Sequence, residues 1–286
     1  MERKLLRIAL PNKGRLAGPS VDLLKKCNIK IENGTDERKL YAATSDPEIE
    51  VIFVRAEDIP EYVERGAADA GITGEDLVVE KAAKVRVLEK LGFGRCRIAL
   101  AGPQKISLGK VNGKTIATKM PNITQAFLKA KKISAALLPV RGATEISPSM
   151  GVSDIICDHV STGATLAANS LVEIATVMES EACLICTTGI AGRKKQVLEA
   201  TALMIRGTKQ AAGKKYVMMN VSEKDIGKIV RCVPGMRSPT IMKLAKQGEC
   251  ALHTVADAKT LPGKIRKLRE LGARDILVLG IEQIVG

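Results

Sequence analysis

The segment Asp154-Ile-Ile-Cys-Asp158-His-Val-Ser161-Thr162-Gly163-Ala164-Thr165-Leu166 carries the residue types that hold a phosphate. An apolar run ends at Asp158, a turn rich in hydroxyls and glycine follows, and a helical pattern begins near Leu166. A strand end that runs into a helix start leaves backbone N–H groups unpaired and aims them at one point, where the helix adds partial positive charge. Gly163 lets the backbone come close to an anion held there. Simple capping of a helix uses one hydroxyl, whereas this turn has Ser161, Thr162 and Thr165. Asp158 would repel the phosphate itself; it suits ribose hydroxyls or a metal-bound water.

Other strand ends offer weaker chemistry. Leu10 is followed by Pro11-Asn12-Lys13-Gly14-Arg15-Leu16, which is either a solvated loop or a grip for a polyphosphate. In the second case Arg15 contributes a planar fork of donors. Glu145, in Arg141-Gly-Ala-Thr-Glu145, either meets sugar hydroxyls or favours a helix N-terminus. Gly71-Ile-Thr73-Gly74-Glu75-Asp76-Leu77 is a third glycine-rich strand end. His159 has no evident task, and a loop histidine of that kind is read as incidental rather than as a base. Cys183 and Cys186 form a C-x-x-C within an apolar run, but no second pair or histidine cluster completes a zinc site, so they read as core.

Short apolar runs alternating with helical patterns must position these groups. Strands are predicted over 5–10, 51–54, 70–72, 97–101, 115–118, 135–140 and 154–157. Helices are predicted over 20–27, after Asp58, from Gly74 through Glu80, over 123–132 and near 143–150. This is an α/β pattern with largely parallel sheets, whose ligands bind beyond the C-terminal strand ends. Ala101-Gly102-Pro103 and Thr187-Thr188-Gly189 read as crossings between two lobes. Lobe one would then be 1–103 plus 180–213, and the inserted lobe two 104–179. From Lys214 to Gly286 the order becomes β-α-β-β-α-β, a separate ferredoxin-like domain.

Composition narrows the classes. The formal charge of +14 favours anionic partners, either nucleic acid or small polyphosphates. Aromatics are only 2 % with no tryptophan, which counts against base-stacking platforms and so against nucleic acid. No apolar run reaches the ~18 residues of a membrane span. Met1-Glu2-Arg3-Lys4 leads straight into a strand-like run without a secretory signal. Seven scattered cysteines suit a reducing compartment, and the expected address is cytoplasmic, with no membrane partner.

PNKGRL, GITGEDL and DHVSTGATLAANSL occur in an order and spacing that resemble those of ATP phosphoribosyltransferases. The resemblance continues through EACLI, YVMMN, PGMRSPTI and LRELGARDILVLGIE, so it spans essentially the whole chain and points to the long form. It implies a two-lobed, periplasmic-binding-protein-like catalytic part followed by an ACT-like regulatory domain. It also implies Mg²⁺-dependent transfer of phosphoribosyl from phosphoribosyl pyrophosphate to ATP, the first step of histidine biosynthesis. By that resemblance Ser161, Thr162, Gly163, Ala164 and Thr165 cradle the 5-phosphate, with Asp158 and Glu145 near the ribose. Lys13, Gly14, Arg15 and Thr73 face the cleft from the other lobe, near nucleotide and pyrophosphate. The inhibitor L-histidine lies among Asn220, Thr240, Val255 and Ala273, and the protein is a homo-oligomer, dimer or hexamer. Asn220 stands where some relatives carry Asp, and Met120 where an aromatic is common. Mg²⁺ is held mainly by substrate phosphates. The rival class is a non-enzymatic two-lobed binder or sensor. The expected lack of a secretory signal counts against a periplasmic receptor, and the hydroxyl-rich loop against a sensor of neutral ligands.

Overall fold

Strand β1 (Leu6–Pro11) is buried along almost its whole length, as a continuous apolar run requires of a strand covered on both faces. Helix α1 (Ala17–Lys26) follows and ends on Lys25 and Lys26, where the dipole favours cations. The computed structural model describes residues 5–32 and 40–286; the charged lead-in 1–4 lies outside the described residues. Strands β2 (Tyr41–Ala43) and β3 (Ile49–Val54) come next. Helix α2 (Ile59–Glu64) starts with Pro60 in its first turn, where the missing N–H costs nothing. Then follow β4 (Ala70–Gly74), α3 (Glu75–Glu80) and β5 (Val85–Lys90).

The chain continues through β6 (Cys96–Gly102), β7 (Thr115–Thr118), α4 (Pro121–Lys131), β8 (Ala136–Pro139) and β9 (Ile155–Val160). After α5 (Ala164–Ala168) come β10 (Val172–Ser180), β11 (Ala182–Thr187) and α6 (Gly192–Ala211). Two sheets result, a six-stranded one in order β2-β3-β1-β4-β11-β5 and a five-stranded one in order β10-β6-β9-β7-β8. Both are mixed rather than largely parallel. Strand β11 runs antiparallel to β4 and β5, and β6 runs antiparallel to β9 and β10. The lobe crossings also differ from expectation. Because β6 and β10 both belong to the second sheet, the chain crosses between Lys90 and Cys96 and again at Glu181. Gly102-Pro103 marks the end of a strand, not a change of sheet. The helix expected near 143–150 is a single 3-10 turn, Thr144–Ile146.

Residues 1–202 and 203–286 form two compact units. In the second, β12 (Lys214–Ser222), α7 (Ile226–Cys232), β13 (Thr240–Lys243), β14 (Glu249–Asp257), α8 (Leu261–Glu270) and β15 (Arg274–Gly280) build an antiparallel sheet in order β13-β14-β12-β15. This is the expected ferredoxin-like arrangement. Val217, Met219 and Leu252 point to one face and pack with Ile229, Leu261 and Leu268 from the helices. The opposite face leaves Tyr216, Leu277 and Leu279 exposed. None of the cysteines forms a disulfide among the described residues. Cys157 in β9 and Cys183 in β11 are fully buried, and burial pushes each thiol up to about 12.

Gly71 owes its place to packing. A Cβ there would lie 2.5 Å from Ile59 Cγ2 and 3.3 Å from the Ala9 backbone oxygen, so α2 could not close on β1 and β4. Gly71→Ala should therefore destabilise the protein by about 1–3 kcal/mol, the usual cost of overpacking. Thermal unfolding followed by circular dichroism would show a lowered Tm; an unchanged Tm would refute this account of the glycine.

Candidate active site

The hydroxyl-rich turn lies where the sequence places it, directly after β9. Ser161, Thr162, Ala164 and Thr165 are exposed, and Gly163 adopts φ +83°, a left-handed conformation suited to glycine. Thr162 Oγ1 accepts from the Ala164 N–H at 3.4 Å. The loop is braced from beneath. Arg97 on β6 donates to the Ser161 carbonyl at 3.1 Å while its guanidinium forks onto Glu173 of β10 at 2.9 and 2.7 Å. That bond from Arg97 holds the Glu173 carboxyl below its usual range.

Asp158 lies within β9, two residues before its end, opposite Ala99 of β6, so the strand runs further than the sequence pattern suggests. Its Oδ1 accepts from the His159 backbone N–H at 2.7 Å, and Lys119 Nζ reaches its Oδ2 at 3.2 Å. Burial pushes the Asp158 carboxyl up, but the bonds from His159 and Lys119 outweigh it and hold the group at about 2. Lys119 is a partner of Asp158 that the sequence reading does not single out. The available signal was its place just past the predicted strand 115–118. Met120 beside it is only 3 % exposed and belongs to the core, so it offers no stacking surface.

His159 is not incidental. Its Nε2 lies 2.7 Å from Asp76 Oδ2, and Asp76, on α3 of the other lobe, is 1 % exposed. Ser180, the last residue of β10, donates to Asp76 Oδ1 and accepts from the Asp76 N–H at 3.1 Å. Burial works against the charge on both partners. The hydrogen bonds to His159 and Ser180 nonetheless hold the Asp76 carboxyl down, and those to Asp158 and Asp76 hold the His159 imidazole up. Arg15 is near enough for its charge to act on Asp76, Cys96 and His159. Asp76, Cys96 and His159 place one donor atom each within 4.8 Å of one another. With carboxylate and imidazole already joined and a guanidinium charge facing them, the group is a hydrogen-bonded network rather than a cation cage.

Two cavities open between the lobes. One of about 460 Å³ is lined by Lys90, Arg95 and Arg97, by Glu75, Glu179 and Glu181, and by Cys96, Val160, Ser161 and Ser180. The other, about 420 Å³, lies at the C-terminal ends of β7 and β8 and carries Lys81, Lys119 and Arg141. Among the remaining predicted residues, Lys13, Gly14 and Arg15 form an exposed turn after β1, with Gly14 at φ +79°. Glu145 is half-buried in the 3-10 turn that packs against β9, which brings it to the side of Asp158's strand. Thr73 departs from expectation. It is fully buried, and its hydroxyl is committed to the Ala56 carbonyl at 2.7 Å, so that side chain does not face the cleft.

In the C-terminal unit, Asn220 on β12 and Val255 on β14 share the sheet face that the helices leave open. Thr240, exposed on edge strand β13, pairs with His253 of β14, whose Nδ1 meets the Tyr216 hydroxyl at 2.6 Å. Asn220 Nδ2 donates to Asp275 Oδ2 at 2.9 Å, and Asp275 is held at φ +49°. A carboxylate thus stands beside Asn220 although residue 220 is itself an amide. Ala273 is buried in the core of this unit, one residue before β15 begins.

Fold and site together define a two-lobed α/β protein that carries its own ferredoxin-like unit. Comparison with known proteins specifies it. Residues 55–207 match the family model described as ATP phosphoribosyltransferase, and residues 211–283 match the HisG C-terminal domain. An ATP phosphoribosyltransferase of Bacteroides thetaiotaomicron is 43 % identical, covering 98 % of this chain and 100 % of its own. One from Methanothermobacter thermautotrophicus is 41 % identical over 98 % of this chain and 99 % of its own. In structure, a chain of the ATP phosphoribosyl transferase (HisG:HisZ) complex from Thermotoga maritima superposes with a TM-score of 0.61 at 29 % identity. It covers 70 % of this chain and 98 % of its own. The chain belongs to the ATP phosphoribosyltransferase family and is a transferase of histidine biosynthesis.

The Asp158 environment predicts a pH signature. A carboxyl held near 2 when folded, against ~3.9 when unfolded, contributes stability that is fully present above about pH 4 and lost as pH falls towards 2. Asp158→Asn should therefore cost on the order of 2 kcal/mol in urea denaturation at pH 7 and progressively less below about pH 4. A deficit independent of pH would contradict the network described.

Proposed function

We propose that the two lobes divide the reaction between them. Ser161, Thr162, Gly163, Ala164 and Thr165 hold the 5-phosphate of phosphoribosyl pyrophosphate, and Asp158 and Glu145 take its ribose hydroxyls. Lys13, Gly14, Arg15 and Lys119 face the nucleotide and the pyrophosphate. The observation that carries this reading is the open, left-handed turn at Gly163 beside a carboxylate held ionised at about 2. As pyrophosphate leaves, positive charge builds at the anomeric carbon while an adenine ring nitrogen attacks. A fixed carboxylate beside the sugar stabilises the first charge, and cations at the leaving group stabilise the second.

Magnesium fits this arrangement as a companion of the substrates. It takes oxygen ligands and keeps several waters, whereas Asp158 is already bonded to Lys119 and His159. When bound, it would neutralise charge on the departing pyrophosphate. The residues of this chain bind the ester phosphate, keep the sugar in place and meet the leaving group with guanidinium and ammonium groups.

The C-terminal unit is read as the sensor of L-histidine, through Asn220, Thr240, Val255 and the strand leading from Ala273. The Asp275 carboxylate, tied to Asn220, supplies the acid for the effector's amine. Self-association as a homo-oligomer is supported by the apolar open face of that sheet. A cytoplasmic address is supported by seven cysteines without a disulfide. Among the described residues no helix is long and apolar enough to cross a membrane.

Mixing the protein with ATP, phosphoribosyl pyrophosphate and Mg²⁺ should release pyrophosphate. Thr165→Ala should lower kcat/KM for phosphoribosyl pyrophosphate by about 10²-fold, the scale of a lost preorganised donor. Unaltered kinetics in the folded variant would remove the loop from the site. Histidine regulation has its own test, since an inhibitor can only act by favouring one state over another. Thr240→Val should weaken inhibition by about 1–3 kcal/mol, the cost of one unpaired polar contact, while basal turnover is kept. A histidine titration of activity alongside calorimetry decides it, and a wild-type protein that neither binds nor responds to histidine would overturn the regulatory reading.

A further inference from the structure

Helix α3 has six residues, and both of its carboxylates that face the second lobe are spent there. Asp76 uses Oδ2 on His159 of β9 and Oδ1 on Ser180 at the end of β10. Glu80, four residues on, receives the Asn122 and Ile123 N–H groups at 3.1 and 2.9 Å, and its carbonyl receives Asn122 Nδ2 at 2.8 Å. Those N–H groups are the unpaired donors at the start of α4, which no residue of its own chain segment caps with a side chain. A carboxylate is well placed there by both hydrogen bonding and the helix dipole.

These contacts close a ring. From Asp76 it runs to His159, along β9 to Asp158, and across to Lys119. Lys119 leads through Met120 and Pro121 to the start of α4, which Glu80 grips, and α3 joins Glu80 back to Asp76. Asp158 and Lys119, the carboxylate and ammonium given to the sugar and its leaving group above, are thus both links in a chain anchored at each end on one short helix of the other lobe.

We propose that Asp76 and Glu80 are positioning residues, which set Asp158 and Lys119 in register with the Lys13–Arg15 turn of lobe one. They touch neither substrate. Their effect passes through His159 at one end and through the first turn of α4 at the other. This rests on the assignment of Asp158 and Lys119 to the phosphoribosyl pyrophosphate site, and goes beyond it by naming what holds them. The groups facing His159 are Asp76 from α3, Asp158 from its own strand, Arg15 from the turn after β1 and Cys96 from β6.

The test uses the full chain with Asp76→Asn, His159→Gln and the double variant. Because the two residues act in series, each single change should lower kcat/KM for phosphoribosyl pyrophosphate by about tenfold, the scale of one contact in a coupled network. The double variant should then be no worse than the poorer single one. Losses that multiply, or single variants with wild-type kinetics, would overturn the proposal. A second readout is independent of turnover. The chain has two histidines, so the His159 imidazole resonance is assigned by its disappearance in His159→Gln. The charged form of His159 is favoured below its raised pKa and lost as pH rises through it. In Asp76→Asn this titration should move to lower pH, and an unmoved titration would show that the pair does not form. If the titration shifts but wild type releases no pyrophosphate, the brace exists and the substrate assignment is what fails. Should Asp76→Asn not fold, Glu80→Gln tests the other end of the ring by the same kinetic loss.

Discussion

A carboxylate that is 1 % exposed is tolerated only when it is both paired and hydrogen-bonded. Asp76 meets that condition with groups from the opposite lobe, and much of the catalytic part is arranged so that it can. Strand β4 delivers α3 to the right height because Gly71 lets α2 lie close against it. Gly74 is needed one step later, since a side chain there would collide with the Asp76 carboxylate as it folds back. Ser180 must end β10 where it does, immediately before the chain crosses at Glu181 into β11. A glycine-rich strand end is therefore spent on bringing one acid to a lobe boundary.

The hydroxyl-rich loop after β9 is stiffened in a different way. Arg97 spans Glu173 and the Ser161 carbonyl, so the backbone of the turn is fixed by a neighbouring strand rather than by its own short helix. Helix α5 has only five residues, too few for much of a dipole. The proposed anion site consequently relies on local N–H groups, on hydroxyls and on the left-handed Gly163. A turn fixed in this way would need little reorganisation to receive an anion, which is the condition for electrostatic preorganisation.

What was legible in the sequence was what is local. The hydroxyl-rich turn Ser161–Thr165 and the β-α-β-β-α-β order follow from neighbours within a dozen residues, and the structure shows both. Strand β9, however, runs past Asp158 to Val160, so Asp158 and His159 lie inside the strand. Lys119 and the Asp76–His159 pair were not legible, because their partners arrive from strands and helices far along the chain. Thr73 shows the converse error, for a hydroxyl in a glycine-rich turn looks available until Ala56 is seen to take it. The lobe crossings were misplaced because glycine and proline report where a strand ends and say nothing of which sheet it has joined. Helix α6 is not among the elements predicted from the sequence, although Val197, Leu198, Ala202 and Ile205 are buried at helical spacing.

The inert thiols have a use of their own. Cys157 is one residue from Asp158 in the second sheet, and Cys183 pairs with Thr73 in the first. With each thiol pushed to about 12 and no solvent access, neither reacts with an alkylating reagent while its strand stays in place. Reaction then requires local opening, so its rate is a clock set by the free energy of that opening. Nature has placed one such clock in each lobe. Followed separately by mass spectrometry, they tell which half of the enzyme breathes first and whether a bound phosphate ester quiets one half or both.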